Sequence, residues 1–157
     1  MSKRTPATTA MDKAKKPFEL LEYEYDPNAA SIGLYAAESM GLPASQVFKT
    51  LMTTAGDEAL IAVVPSDREL NLKALAHAAG KKSVAMMKVP DAERLSGYKV
   101  GGISPLGQKR RLRTFFDDSA LALPFIVVNG GQRGLQIKAK PQDLLDATGG
   151  VAVAIAT

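Results

Sequence analysis

The sequence has no cysteine, no tryptophan and only one histidine, His77, among its 157 residues. The absence of cysteine excludes a thiol nucleophile, a disulfide and a thiolate site for zinc. The single histidine excludes multi-imidazole metal sites, and a Ser-His-Asp triad would have to use His77. Because His77 lies in an alanine-rich run that predicts a helix ending at Gly80, we expect it to be structural or solvent-exposed. Any catalysis must therefore proceed without the common nucleophile and base pairs.

Long apolar runs are also missing. No window approaches the roughly 20 apolar residues that a bilayer-spanning helix needs. The N-terminus lacks the apolar segment of a secretory signal. We therefore expect a cytoplasmic protein with no membrane partner. The length predicts one domain over residues 1–157.

The composition that remains is that of an ordinary globular protein, with 46% apolar and 23% charged residues. Twenty basic residues stand against sixteen acidic ones, which gives a net charge of +4. This modest excess is compatible with a polyanionic partner without demonstrating one. Aromatic residues make up only 6% of the chain, so a broad surface for stacking single-stranded bases is disfavoured.

Capping residues and apolar patterns predict a mixture of helices and strands. Asn71 and Ser31 resemble N-caps, and Thr5 precedes a proline at a first helical position. Helices are predicted at about 5–15, 31–40, 71–79, 90–95 and 141–147. Strands are predicted at 18–25, 46–53, 59–64, 83–86, 114–116, 125–128, 135–138 and 151–155. Since hairpin-like pairs interrupt any regular βαβ alternation, we predict an α+β domain on a mixed sheet.

Lys49 lies within one of these predicted strands. Strand alternation places it on one face with two apolar residues, Val47 and Leu51. Spacing alone favours a lysine on an edge strand or one that extends to solvent. The alternative is a partly buried ammonium that faces a cleft, where it would hold a phosphate or polarise an ester carbonyl.

A glycine-rich segment, GYKVGGISPLG, covers residues 97–107. Glycine lets a backbone approach a ligand closely, and successive N–H groups then cradle an anion or a developing oxyanion. The segment lacks the spacing of a P-loop. A plain connection between elements is an equally open interpretation.

Three further segments carry polar groups. The basic run at 109–113 follows the glycine-rich segment directly. It is either a solvent-exposed surface or a surface that binds an RNA backbone. The run at 130–134 predicts a hairpin turn. Asp117, Asp118 and Ser119 suggest acid/base chemistry, but carboxylates before an alanine- and leucine-rich segment are more often helix caps.

Taken together, these segments resemble the YbaK family of tRNA-editing domains. The resemblance covers nearly the whole chain, and the GGISPLG stretch is its most specific part. The matching segments, in family order, are 5–7, 23–26, 47–51, 69–73, 97–109 and 130–135.

The resemblance implies a mixed, partly barrel-like sheet flanked by helices. It also implies hydrolysis of the ester that joins an amino acid to the 3′ end of tRNA, as in the second sieve of an editing pair. The best-known substrate of the family is cysteine mischarged onto proline tRNA, and relatives clear alanine. The expected partners are aminoacylated tRNA and prolyl-tRNA synthetase, with no cofactor and no metal, in a monomer or weak dimer.

The resemblance also assigns site residues, each carried over from a family motif. The essential lysine falls on Lys49 and the loop glycine on Gly101, which are the expected catalytic residues. The expected substrate-binding residues are Tyr23, Gly102, Ile103, Ser104, Asn129 and Gln136.

Three positions depart from the family pattern. Asn129 and Gln136 stand where the family has a serine and an aspartate, and Tyr25 replaces a histidine. An aspartate would pair with a substrate ammonium, whereas Gln136 offers only a neutral hydrogen bond. We expect these departures to affect which amino acid the site accepts more than whether the ester is hydrolysed.

The family mechanism is substrate-assisted, in that the sulfhydryl of a cysteinyl substrate attacks its own ester carbonyl. For other amino acids a positioned water would attack. The backbone N–H groups of 101–103 are expected to bind the oxyanion. Lys49 is expected to bind the terminal adenosine. The alternatives are a module that binds a nucleotide or aminoacyl-tRNA without hydrolysis, and an interaction domain with no ligand.

Overall fold

A computed structural model describes residues 4–157, and within them five helices and eight strands alternate irregularly. The helices are α1 (Pro6–Lys13), α2 (Ile32–Met40), α3 (Leu72–Ala79), α4 (Val89–Ser96) and α5 (Pro141–Thr148). The strands are β1 (Glu19–Glu22), β2 (Phe48–Ala55), β3 (Glu58–Pro65), β4 (Ala85–Met86), β5 (Arg113–Asp117), β6 (Ile126–Gln132), β7 (Leu135–Ala139) and β8 (Val151–Val153). All five predicted helices and all eight predicted strands are present.

The helix ends follow from local chemistry. The Thr5 side chain accepts a hydrogen bond from the Thr8 amide and closes a capping box. The side chains of Ser31 and Asn71 cap α2 and α3, each by accepting a hydrogen bond from the amide three residues later. Gly80 ends α3 in the left-handed region, at φ 71°, which costs glycine little. The predicted caps are therefore confirmed.

The strands form two sheets that meet at one point. The smaller sheet has the order β1-β7-β6, and the larger has the order β4-β2-β3-β5-β8. The β2–β3 pair is an antiparallel hairpin, whereas β3–β5 and β5–β8 are parallel, so the larger sheet is mixed. A parallel bridge between Val47 and Val127 joins the two sheets. The predicted α+β class is confirmed, and the two sheets curve together without closing into a barrel.

Both faces of β3 are buried, and this divides the core into two parts. Ile61 and Val63 pack into the core that lies between the sheets, with Phe116 and Ile126. Residues of the opposite face pack under α3, where Leu75 is fully buried. Burying one such side chain contributes about 1.5–3 kcal/mol. The two cores thus hold β2 and β3 in place from both sides.

Several predicted boundaries differ from the structure by two or three residues, as at the end of β1 and at both ends of β2, and two of the differences have a clear physical cause. The predicted turn at 130–134 is mostly strand, because β6 continues to Gln132 through an irregularity between Asn129 and Gln132. Gly131, at φ 91°, provides the backbone conformation that this bulge needs. The predicted final strand ends early, at Val153, because the next amides bond to a carboxylate instead of a strand.

That carboxylate is Asp117, and it acts as a cap. It accepts hydrogen bonds from the amides of Ser119, Ile155 and Ala156, at 3.2, 3.0 and 2.9 Å. Burial disfavours its charged form, but hydrogen bonds to these three residues outweigh burial and lower the pKa of Asp117. The capping interpretation of the 117–119 segment is confirmed.

Candidate active site

A cavity of about 290 Å³ opens between the two sheets. The start of β2 forms one wall of the cavity, and α2 and the smaller sheet form a second wall. The segment from β4 to α4 and the glycine-rich loop complete the lining. The lining residues are Tyr23, Ile32, Gly33, Ala36, Val47, Phe48, Lys49, Thr50, Leu51, Met52, Met86, Met87, Val89, Ala92, Val100, Gly101, Ile103, Asn129 and Gln136. Six of the eight expected site residues are therefore brought together.

Lys49 lines this cavity and is half-buried. It is the only charged side chain of the lining, and it forms no ion pair or hydrogen bond within residues 4–157. β3 pairs with the whole of β2 on one edge, whereas β4 pairs with the other edge only at Thr53 and Thr54, which leaves that second edge open beside Lys49. Lys49 thus lines a cleft beside an open strand edge, and the role expected for its ammonium stays a prediction.

Tyr23 follows the last residue of β1 and reaches the cavity from the smaller sheet. Its backbone N–H donates to the Gly134 carbonyl at 2.9 Å, and its ring packs edge-on against Tyr35 of α2. Burial, with a contribution from Tyr25, raises the pKa of the Tyr23 hydroxyl, although the nearby Gly134 amide offsets part of the rise. No group within residues 4–157 meets hydrogen-bonding geometry with this hydroxyl. Tyr23 is therefore a protonated phenol with an unsatisfied oxygen.

The glycine-rich loop makes a tight turn at the cavity wall. The Gly102 N–H donates to the Lys99 carbonyl at 2.8 Å. Gly101, the third residue of this turn, has φ 89°, as in a type II turn. Two donors from the smaller sheet hold the turn: Asn129 Nδ2 donates to the Gly101 carbonyl at 3.0 Å, and Arg133 Nε donates to the Val100 carbonyl at 2.8 Å. The turn is thus fixed before any ligand arrives.

Tyr25 backs the same turn. A Cβ atom on Gly101 would lie 2.7 Å from the Tyr25 ring, closer than real contacts allow. The Arg133 guanidinium lies over the Tyr25 ring, 5.1 Å from the ring centroid. The residue that departs from the family histidine therefore has a supporting position behind Gly101.

Among the amides of the turn, those of Gly101 and Ile103 donate to no group within residues 4–157. Gly102 uses its amide inside the turn and does not line the cavity. Ser104 is fully buried behind the wall, where its Oγ accepts a hydrogen bond from the Leu106 amide at 3.2 Å. The loop thus presents two free backbone donors at the wall.

Asn129 and Gln136 are directly opposed on β6 and β7. Asn129 is fully engaged, since its Oδ1 also accepts a hydrogen bond from the Gly131 amide at 2.7 Å. Gln136 is only 4% exposed and lines the cavity, and its side chain forms no hydrogen bond within residues 4–157. Both departures therefore line the cavity, Asn129 with its side chain bonded to the backbone and Gln136 with an unbonded amide.

Thr50 is a polar lining residue that the sequence analysis did not assign to the site. Alternation placed it on the opposite face from Lys49, yet both line the cavity. The cavity runs over the open edge of β2, so residues of both faces reach it. Thr50 Oγ1 is buried and has no hydrogen-bond partner within the described part of the chain. No signal in the sequence marks it, because the open edge depends on how briefly β4 pairs.

The other candidate segments lie apart from the cavity. His77 is exposed on α3, as expected. Arg113 is tied to Glu58 by contacts of 2.8 and 3.0 Å, and hydrogen bonds from Arg113 and Lys81 lower the pKa of Glu58 to about 2. Arg110 and Arg111 are exposed, and neither is paired with an acidic group among residues 4–157. The free part of the basic run thus ends before Arg113.

Over residues 4–157, no helix is both long and apolar enough to cross a membrane. In the same part of the chain, no three His, Cys, Asp or Glu side chains are grouped as a metal site requires. The cavity itself is lined by apolar groups, neutral polar groups and one ammonium, that of Lys49.

Comparison with known proteins adds a family match. The model of the family described as "Aminoacyl-tRNA editing domain" matches residues 26–147. A protein of Enterococcus faecalis, EbsC, named as a candidate Cys-tRNA(Pro)/Cys-tRNA(Cys) deacylase, is 35% identical over 155 residues. That alignment covers 98% of this chain and 94% of EbsC.

Two further relatives place the match in context. The proline–tRNA ligase of Geobacter metallireducens is 32% identical over 99 residues, which cover 63% of this chain but only 17% of the ligase. A crystal structure of a candidate trans-editing enzyme for prolyl-tRNA synthetase superposes with a TM-score of 0.81 at 21% identity. It covers 98% of this chain and 99% of that one, and it shows the shared fold.

Proposed function

Because this chain belongs to the aminoacyl-tRNA editing domain family, we propose that it is a trans-acting deacylase of mischarged tRNA. The reaction is hydrolysis of the ester between the amino acid and the terminal ribose. EbsC, whose name describes a Cys-tRNA(Pro)/Cys-tRNA(Cys) deacylase, aligns over nearly the whole chain. The proposed first substrate is therefore Cys-tRNA(Pro), with a small amino acid such as alanine as the alternative.

One observation carries this proposal. A single half-buried ammonium, Lys49, and two free amides, those of Gly101 and Ile103, meet at one otherwise uncharged cavity. Preorganised donors of this kind stabilise the oxyanion of acyl transfer, because they need no rearrangement when charge develops. Lys49 then holds the phosphate or sugar end of the terminal adenosine and orients the ester.

The chemical step uses no protein nucleophile. For a cysteinyl ester, the substrate sulfur attacks the carbonyl carbon and the bond from that carbon to the ribose oxygen breaks. The thiol proton passes to the departing ribose oxygen, which becomes a hydroxyl group. Water then opens the released thiolactone. For another amino acid, water attacks the ester directly. In both cases the negative oxygen of the tetrahedral intermediate lies against the free loop amides.

The test is a deacylation panel with purified protein and tRNAs charged with cysteine, alanine, serine and proline. We expect release above the spontaneous rate, fastest for cysteine on proline tRNA. Absence of release from every substrate would refute the deacylase. Salt-sensitive tRNA binding without turnover would instead identify the binding module, for which the unpartnered amide of Gln136 is the favouring observation.

The basic run gives a separate prediction about the tRNA body. Replacing Arg110 and Arg111 with alanine is expected to raise KM about 10-fold and leave kcat within about twofold. Each lost phosphate contact removes roughly 0.7–0.9 from the slope of log affinity against log salt concentration, so that slope should fall by about 1.5. The charge-matched control replaces Lys73 and Lys82, which are exposed near α3 on the far side of the larger sheet. Equal effects in both variants would show that only net charge matters.

A further inference from the structure

The cavity has no group that could balance a positive charge on its ligand. Its lining contains no aspartate or glutamate, and its one charged residue is Lys49. Glu93, on α4, is already engaged, since its Oε2 accepts a hydrogen bond from the Val100 amide at 2.9 Å. Side chains of both signs, among them Lys99 and Glu24, flank lining residues in sequence, so only the lining itself is without an acidic group. The lining therefore offers an ammonium no carboxylate partner.

The same cavity carries neutral polar groups that lack partners. The Tyr23 and Thr50 hydroxyl oxygens are buried without a hydrogen bond within residues 4–157. The Gln136 amide, 4% exposed, is also unbonded. Buried polar groups are normally hydrogen-bonded, so two buried hydroxyl oxygens without a partner, beside an amide side chain that lines the same cavity, indicate a ligand that supplies the partners. Because the phenol, the hydroxyl and the amide each donate and accept, they suit a neutral polar ligand.

From these two observations, and resting on the proposed function, we propose that the site binds aminoacyl esters whose α-nitrogen is uncharged. N-acylated aminoacyl-tRNA is then a substrate class of this enzyme, and a free amine reacts through its neutral form. Gln136 determines this choice, since it is the amide-bearing side chain that the cavity buries without a partner.

The size of the effect follows from ionisation. An α-amino group has an ordinary pKa of about 7.7–8.0, so roughly a tenth of it is uncharged at pH 7. A site that takes only the neutral form should therefore favour the acylated ester about 10-fold at pH 7. The preference should approach unity as pH rises above 9, because the free amine is then neutral as well.

The experiment compares a tRNA carrying the amino acid released fastest in the panel with the same tRNA after N-acetylation. Each kcat/KM is divided by the spontaneous hydrolysis rate in the same buffer, because acetylation also changes the intrinsic reactivity of the ester. The wild-type ratio of acetylated to free substrate should be about 10 at pH 7. Gln136→Glu, which keeps the shape and adds a charge, should lower that ratio at least 10-fold.

Gln136→Asp provides a second acidic variant if the first does not fold, as judged by circular dichroism and thermal melting. A wild-type preference for the free amine, or a ratio unchanged in a folded acidic variant, would overturn the inference while leaving the deacylase intact. No release from either substrate by wild-type protein would instead refute the proposed function itself.

Discussion

Replacing Lys49 with methionine is expected to lower kcat/KM for deacylation by about 100- to 1,000-fold. Methionine keeps an apolar stem of similar length, so the loss measures the charge and not the packing of the side chain. Removing one preorganised electrostatic group from an acyl-transfer site typically costs this much in rate. Lys49 is the only charged group of the lining, and within residues 4–157 no other cation lines the cavity to replace it.

Two comparisons make this prediction specific. Lys49→Arg keeps the charge but changes its shape, and should retain more activity than the methionine variant. The thermal midpoint of Lys49→Met should not fall, because Lys49 forms no ion pair among the described residues whose loss would destabilise the protein. If Lys49→Met retains full activity, the role given to Lys49 is wrong, whatever the fate of the deacylase.

Gly101→Ala is expected to reduce kcat/KM about 100-fold. Alanine is strained at φ 89°, and its Cβ would lie 2.7 Å from the Tyr25 ring, which also contacts the Arg133 guanidinium. The turn must therefore move, and with it the two free amides at the wall. A displacement near 1 Å at a catalytic centre costs on the order of 100-fold in rate.

The chain offers a matched control for this substitution. Gly56, in the β2–β3 hairpin, also has a positive φ, 67°, but a Cβ there would meet nothing within 4 Å. Gly56→Ala should cost about 1 kcal/mol of stability and leave activity unchanged. Adding Tyr25→Ala to Gly101→Ala should recover about 10-fold of the lost rate. Failure to recover would show that backbone strain, and not the Tyr25 contact, causes the loss.

The predicted residue roles differ in how far geometry supports them. Lys49, Tyr23, Gly101, Ile103, Asn129 and Gln136 meet at one cavity, whereas Gly102 and Ser104 stand behind its wall. The Gly102 amide donates to the Lys99 carbonyl and is not available to a ligand. The expected oxyanion site is therefore reduced to the amides of Gly101 and Ile103. The roles themselves stay predictions until the variants are measured.

Local chemistry in the sequence determined the helix ends, the β2–β3 hairpin and the α+β class, because caps, left-handed glycines and apolar periodicity act within a few residues. The absence of cysteine and the single exposed histidine likewise ruled out whole classes of catalytic site in advance. Only the tertiary structure decided that β4 pairs so briefly with β2, and this short pairing opens the edge where Lys49 and Thr50 both reach the cavity. It also decided that Tyr25 and Arg133 support Gly101, since these contacts join residues distant in sequence, where no local pattern records the pairing.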